Sequence, residues 1–327
     1  ATTAATTAAT TSTTATTVTT TTATTAAATP PLPTAPTTTT ASLPTPPAGE
    51  EKTSPTAASI EQQDLSLVPP AERQVKQRVI HVFDLVPPSS PGTPPTLVRV
   101  QEMAIDWDGA AFTEDDDAAK DVTGLYVWAA SVVLARWLVS DSAIVNSMDN
   151  KTVCELGAGA GLPGITVAAH TNASSVLLTD LFPHTVKNMQ DNIAMNSIAI
   201  GESGVAVRAL SLDWCNTDQW PKKKMDVLIG SDLVYSKTMV MSLVSVIIGL
   251  LGKNGLFYYA ASTTERDGML EFVKLMGSSG FKLELETLAP KEYHSNPLHQ
   301  ATQTKCDRHF DGLNTKKFML YKWRKTI

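Results

Sequence analysis

Residues 153–164 read "VCELGAGAGLPG", an apolar run that closes on an acid and then places glycine at 157, 159 and 161. Backbone without Cβ atoms turns tightly and can lie against a ligand. The spacing decides what kind of ligand. A dinucleotide fingerprint, G-x-G-x-x-G, counted from Gly157 puts Leu162 where its third glycine belongs. A P-loop needs Gly-Lys-Ser/Thr, and none follows. What remains is E-x-G-x-G-x-G, a cradle for an adenosine with a charged, phosphate-free amino-acid tail. Its candidate contacts are Glu155, Gly157, Ala158, Gly159 and Gly161.

The next two strand-like runs end on residues that suit the same ligand. Asp180 closes "SVLLTD" (175–180), where a carboxylate can accept both ribose hydroxyls. "LDW" (212–214) closes the third run: Asp213 can accept from an exocyclic amine while Trp214 stacks on the ring. Singly, Asp180 reads as well as a helix cap and Trp214 as core. Together, at successive strand ends, they favour one adenosine site.

Around this centre the pattern alternates. Two β-rich runs, 77–86 and 96–107, flank a Pro/Gly break and read as a hairpin. A helix is expected over 128–139, then a buried strand running into a turn over 152–159, helix 162–170, strand 175–180, helix 183–196 and strand 205–214. Strand 225–235, helix 237–251, strand 255–263, helix 265–277 and strands 281–288 and 316–323 follow. Short apolar strands alternating with helices predict a doubly wound α/β sheet, with ligands at the carboxyl ends of its strands.

Composition divides the 327 residues unevenly. Residues 1–59 are nearly all Thr, Ala, Pro and Ser, too poor in bulky apolar groups to offset chain entropy, so a disordered leader is expected over 1–74 and a single domain over 75–327. No basic or apolar signal opens the chain, which speaks against a secreted stalk. Three widely spaced cysteines (154, 215, 306) suit a reducing compartment. The longest apolar run, 239–251, is too short for a bilayer and reads as a buried helix. A net charge of −6 argues against a general nucleic-acid binder, and Lys222–Lys224 read as a solvated turn.

Taken in order, "GLYVWAASVVLARWL", "VCELGAGAGLPGI", "LLTD", "NMQDNIAMN", "LDW" and "LIGSDLVY" resemble the eukaryotic seven-strand protein-lysine methyltransferases. The resemblance covers about 100–263 well and the last two strands loosely. It implies a Rossmann-like class I methyltransferase sheet, S-adenosyl-L-methionine as cofactor and a protein substrate with an accessible lysine. It also implies cofactor contacts at Trp128, Gly157 to Gly159, Asp180, Trp214 and Ser231. Glu155 is expected to hold the cofactor's ammonium directly or through water. Asp232 is expected to orient or deprotonate the incoming amine, and Tyr235 to line the lysine channel or support the loop. A cytoplasmic monomer, with the nucleus as a second compartment, is the expected setting, without nucleic acid or membrane.

The Thr-rich leader and the segment 289–315 depart from the family pattern and leave substrate choice open. The acidic run Glu114–Asp117 reads first as a solvated loop, second as an attractor for a basic substrate. His294, His299, Cys306 and His309 fit no tight zinc spacing, so no metal is expected. Two further readings keep the cofactor: a small-molecule amine acceptor, and a non-catalytic partner protein.

Overall fold

The computed structural model describes residues 75–86, 95–105, 121–264, 267–299 and 312–327. These fall in one compact unit, Gln62–Ile327. The leader over 1–74, the acidic run 114–117, Cys306 and His309 lie outside the described residues.

The expected hairpin is present: β1 (Val75–Phe83) pairs antiparallel with β2 (Val98–Ile105). Helix α1 (Ala129–Ser140) and a short α2 (Ser142–Ser147) lead into the alternating part. That part runs β3 (Thr152–Leu156), α3 (Leu162–His170), β4 (Ser175–Asp180), α4 (Pro183–Met195), α5 (Ser197–Ser203), β5 (Ala206–Ser211) and β6 (Met225–Ser231). Then come α6 (Val240–Leu250), β7 (Leu251–Ser262), α7 (Met269–Ser278), β8 (Phe281–Leu288) and β9 (Phe318–Lys325). Seven strands make one sheet in the order β5-β4-β3-β6-β7-β9-β8. The first five in that order are parallel; β9 is antiparallel to β7 and to β8. This is the doubly wound seven-strand sheet that the motifs imply.

Central β3 is buried at every position, as a continuous apolar run must be when helices cover both faces. On one face α6 buries Val240, Leu243, Val244, Ile247 and Leu250, a stripe at helical spacing. The apolar run 239–251 is therefore core, and among the described residues no helix is long and apolar enough to cross a membrane. Phe257, Tyr259, Tyr321 and Trp323 stack beside it, with Phe272 of α7 edge-on to Trp323.

On the other face α1 is buried from Ala129 to Val139. The hairpin and the segment after β8 close over it. Arg136 anchors that segment: its buried guanidinium donates to the carbonyls of Tyr293 at 2.9 Å, Ser295 at 2.7 Å and Asn296 at 3.2 Å. Farther on, Asp84 N–H donates to Pro297 O and His299 N–H to Val82 O, both at 2.8 Å. Part of the departure at 289–315 thus runs beside β1. His294 Nδ1 bonds the Leu313 carbonyl at 2.8 Å, and His299 sits 3.8 Å from Asp84.

The hairpin's other edge is covered by a helix. Asn188, Asn192 and Asn196 stand one turn apart on α4 and its C-cap. Asn196 accepts from Arg99 N–H at 2.8 Å and donates to Arg99 O at 2.6 Å. Asn192 accepts from Gln101 N–H at 2.8 Å and donates to Ala160 O at 2.8 Å. Three amides therefore satisfy a strand edge that would otherwise be bare.

Boundaries shift where local geometry intervenes. The strand expected through 235 ends at Ser231, because Asp232 takes φ +51° and leaves the extended region. The helix expected from 237 opens as a 3-10 turn, Lys237–Met239. The helix expected from 265 begins at Met269, after Gly268 with φ +99°.

Candidate active site

Strand order reverses at β3: β4 and β5 lie to one side, β6 and β7 to the other. The crevice outside the carboxyl ends at such a switch point is where doubly wound sheets bind ligands. The loops following β3, β4, β5 and β6 meet there.

The glycine turn is left-handed at all three glycines, with φ +54° at Gly157, +54° at Gly159 and +82° at Gly161. Ala158 N–H donates to Thr179 O at 2.9 Å, and Gly159 N–H donates to Asp180 Oδ2 at 2.9 Å. These bonds dock the turn onto the end of β4. A Cβ at Gly157 would stand 2.7 Å from Leu233 Cδ2 and 3.6 Å from Trp214 Cζ2. Gly157 is thus the point where the β5 and β6 loops converge on the cradle. A Cβ at Gly159 would meet the Gly124 carbonyl at 3.4 Å, so the chain leading to α1 passes directly over the turn.

Glu155 has a partner within the protein, as a buried carboxylate requires. It is 1 % exposed, and its Oε2 accepts from Gly164 N–H of α3 at 2.8 Å. Burial pushes its pKa well above the usual carboxylate range; the Gly164 bond opposes that rise, and the charge of Asp180 adds to it. Asp180 spends both oxygens on backbone, Oδ2 on Gly159 N–H and Oδ1 on Leu181 N–H at 2.8 Å. Each oxygen retains a second lone pair. Burial raises its pKa too, against those two N–H bonds, with Asp121 adding to the rise and His184 opposing it.

At the end of β5, Asp213 and Trp214 are half-buried. Asp213 Oδ1 accepts from Cys215 N–H at 2.7 Å, and its carbonyl accepts from Trp220 Nε1 at 3.0 Å. Trp128 is 40 % exposed at the N-cap of α1, where its Nε1 donates to Thr123 O at 3.0 Å. Ser231 ends β6 opposite Ala260.

Asp232 is a non-glycine residue held at φ +51°, a conformation that costs free energy and persists only where surroundings enforce it. The enforcement comes from β7. Asp232 N–H donates to Ala260 O at 2.9 Å, Ser262 N–H to Asp232 Oδ1 at 3.0 Å, and Val234 N–H to the Tyr259 hydroxyl at 3.1 Å. Tyr235 is 60 % exposed at the rim. Partial loss of solvent around the phenol raises its pKa, and the charges of Asp121 and Asp180 raise it further.

Sequence reasoning missed Asp121, Gly124 and Tyr259. Asp121 Oδ1 accepts from both the N–H and the hydroxyl of Thr123, at 2.9 and 2.7 Å, while its carbonyl faces His184 Nε2 at 2.7 Å. The D-x-T spacing of an Asx turn was the available signal. Tyr259 gave none: it sits in an apolar strand like any core aromatic.

The cradle is therefore bare main chain with Asp180 bonded to it, Asp121 near Asp180 and the Trp214 indole beside Gly157, and Asp213 and Asp232 stand in the loops that follow the neighbouring strands. No Lys or Arg lies in 157–161, 181–182, 212–216 or 232–236. Such a cradle repels phosphate and favours a cationic group. It could hold a sulfonium nucleoside: the residues present fit that group. Among the described residues no cluster of three or more His, Cys, Asp and Glu side chains could hold a metal.

A family model described as lysine methyltransferase matches residues 110–279, over half of the chain. The chain belongs to the lysine methyltransferase family. Among its relatives in that family, human protein-lysine N-methyltransferase EEF2KMT is 27 % identical over 190 residues, 53 % of this chain and 57 % of the relative. The calmodulin-lysine N-methyltransferase of Arabidopsis thaliana is 34 % identical over 161 residues, 47 % of this chain and 50 % of the relative. The chain spans about half the length of the curated relatives it matches. Of solved structures, a TehB-like SAM-dependent methyltransferase from Corynebacterium glutamicum covers 62 % of this chain and 91 % of its own, at TM-score 0.38 and 14 % identity.

Proposed function

We propose that this protein transfers a methyl group from S-adenosylmethionine to the side-chain nitrogen of a lysine in a protein substrate. The observation that carries the reading is the Asp232 turn. A carboxylate fixed in a strained conformation adjoins Leu233, whose side chain meets Gly157 beside Trp214. Family membership supports the acceptor class.

In this reading the main chain of Gly157 to Gly159 and the side chains of Asp180, Asp213, Trp214 and Ser231 hold the cofactor, with Trp128 walling the methionine side. Glu155 acts from beneath, through Gly164 and the turn. When bound, the cofactor supplies an electrophilic methyl group already carried on a good leaving group, so the protein chiefly positions and manages charge. Asp232 accepts a hydrogen bond from the incoming amine, aligns its lone pair and takes the proton that the amine must lose. Trp128 and Tyr235 exclude water and favour the neutral amine over the ammonium. We place this activity in a monomer of the cytoplasm or nucleus, which the scattered cysteines support.

Incubating the full chain with tritium-labelled cofactor and a protein extract tests the reading. Label on a protein band, at lysine after hydrolysis, is the expected result. Label on a dialysable product would move the acceptor to a small amine. Cofactor binding without any turnover would leave a non-catalytic binder.

A further inference from the structure

Next to the Asp232 turn, beyond the carboxyl end of β7, lies an open groove of about 810 Å³ that none of the roles above uses. Val234, Tyr321, Met319 and Met269 line it. Leu270 stands at the lip, 90 % exposed. We propose that this groove binds the polypeptide flank of the acceptor lysine, taking an extended main chain, one apolar side chain and a neighbouring cationic one. The inference rests on the protein-lysine reading and specifies how that substrate is gripped.

Position is the first argument. Ser262 lines the groove, and its N–H is the donor to Asp232 Oδ1. Val234 lies two residues past Asp232 in the same turn. A chain that places its lysine at Asp232 has a way out of the crevice across these residues.

The lining chemistry is the second. Unbranched, polarizable Met269 and Met319 accommodate varied apolar side chains, and an almost fully exposed leucine beside them is an apolar surface in want of a partner. α7 opens here without a capping side-chain hydrogen bond among the described residues, and the N–H groups of its first turn are the natural donors to the carbonyls of an extended chain.

Charge is the third. Asp267 and Glu271 both line the groove, and Lys237 is the one basic residue among its described lining. Lys237 is bridged to Glu271 at 3.3 Å, while Asp267 makes no ion pair among the described residues. Among the described lining the surplus is negative, which favours a basic flank over an acidic one.

The test uses the full chain. The protein labelled by wild type from extract is isolated, its acceptor lysine mapped, and a peptide of about fifteen residues around it made as the probe. Leu270→Ser and Asp267→Lys change exposed side chains outside the catalytic turn. Each should raise KM for the probe about ten-fold or more, with kcat within about two-fold and the calorimetric cofactor Kd unchanged. Asp267→Lys should also reverse the salt dependence of KM. Wild-type KM values in both variants overturn the groove and leave the methyltransferase reading standing. So does a concentration-dependent dimer, seen by sedimentation, that both substitutions abolish, since the groove then belongs to a second copy. A wild type that labels no protein overturns the functional reading, and this inference with it.

Discussion

Ser262 N–H donates to Asp232 Oδ1 at 3.0 Å, so the residue proposed to receive the amine is clamped through its side chain as well as its backbone. Asp232→Asn keeps an oxygen for Ser262 and removes only the charge. Its turnover should fall by about 10²–10⁴-fold, the usual worth of a positioned acid–base group, with cofactor affinity unchanged. Steady-state rates with labelled cofactor and calorimetry separate the two. Equal loss of both would contradict this division of labour.

Tyr259→Phe removes the hydroxyl that accepts from Val234 N–H. Val234 is buried, so the orphaned donor should cost about 1–3 kcal/mol. We expect a lowered melting temperature and a loss of kcat several-fold greater than any loss of cofactor affinity. A variant with lowered stability but intact kcat would reduce Tyr259 to a packing residue.

Two left-handed glycines separate backbone cost from site geometry. At Gly204, φ is +72° and nothing lies within 4 Å of an added Cβ. At Gly157, φ is +54° and the added atom meets Leu233 and Trp214. Each alanine should cost about 1–2 kcal/mol of stability for its conformation alone. Only Gly157→Ala should also weaken cofactor binding, by about ten-fold or more; titration calorimetry on both variants checks this.

Glu155 provides a pH test. Its folded-state pKa is raised, so the folded protein keeps a proton that the unfolded chain has already released. Stability on this account is greatest at low pH and falls as pH rises from the ordinary carboxylate range through the raised value. Glu155→Gln does not titrate, can still accept from Gly164, and should be the more stable protein above that window, with the gap closing as pH falls. Urea unfolding across the range from about pH 4 to 8 measures it. Cofactor affinity should survive the change if Glu155 works through Gly164, and should collapse if it holds the cofactor's ammonium.

Much of this arrangement was legible in the sequence, because it rests on residues whose types are scarce for physical reasons. Alternate glycines after an apolar run declare a left-handed turn, and an acid closing each of two further runs declares the strand ends. Helix α6 announced itself by period. What stayed hidden depended on non-local pairing. Asn188, Asn192 and Asn196 read as a polar helix face, and only the fold reveals that β2 lies against them. Tyr259 looked like any core tyrosine until Val234 was brought to it. The end of β6 was misplaced by four residues for a related reason: a non-glycine residue gives no warning that three partners on β7 will hold it at positive φ.

Arg136 carries a consequence for the polypeptide beyond β8. Its cation is satisfied by carbonyl oxygens of residues 293–296, and burial already lowers its pKa, with Asp84 opposing. If those residues peeled away, the guanidinium would be stranded inside the layer formed by α1, a far larger penalty than an ordinary loop opening. The strap is therefore bolted down by a charge that has nowhere else to go. A nick or insertion there would loosen the helix whose N-cap is Trp128.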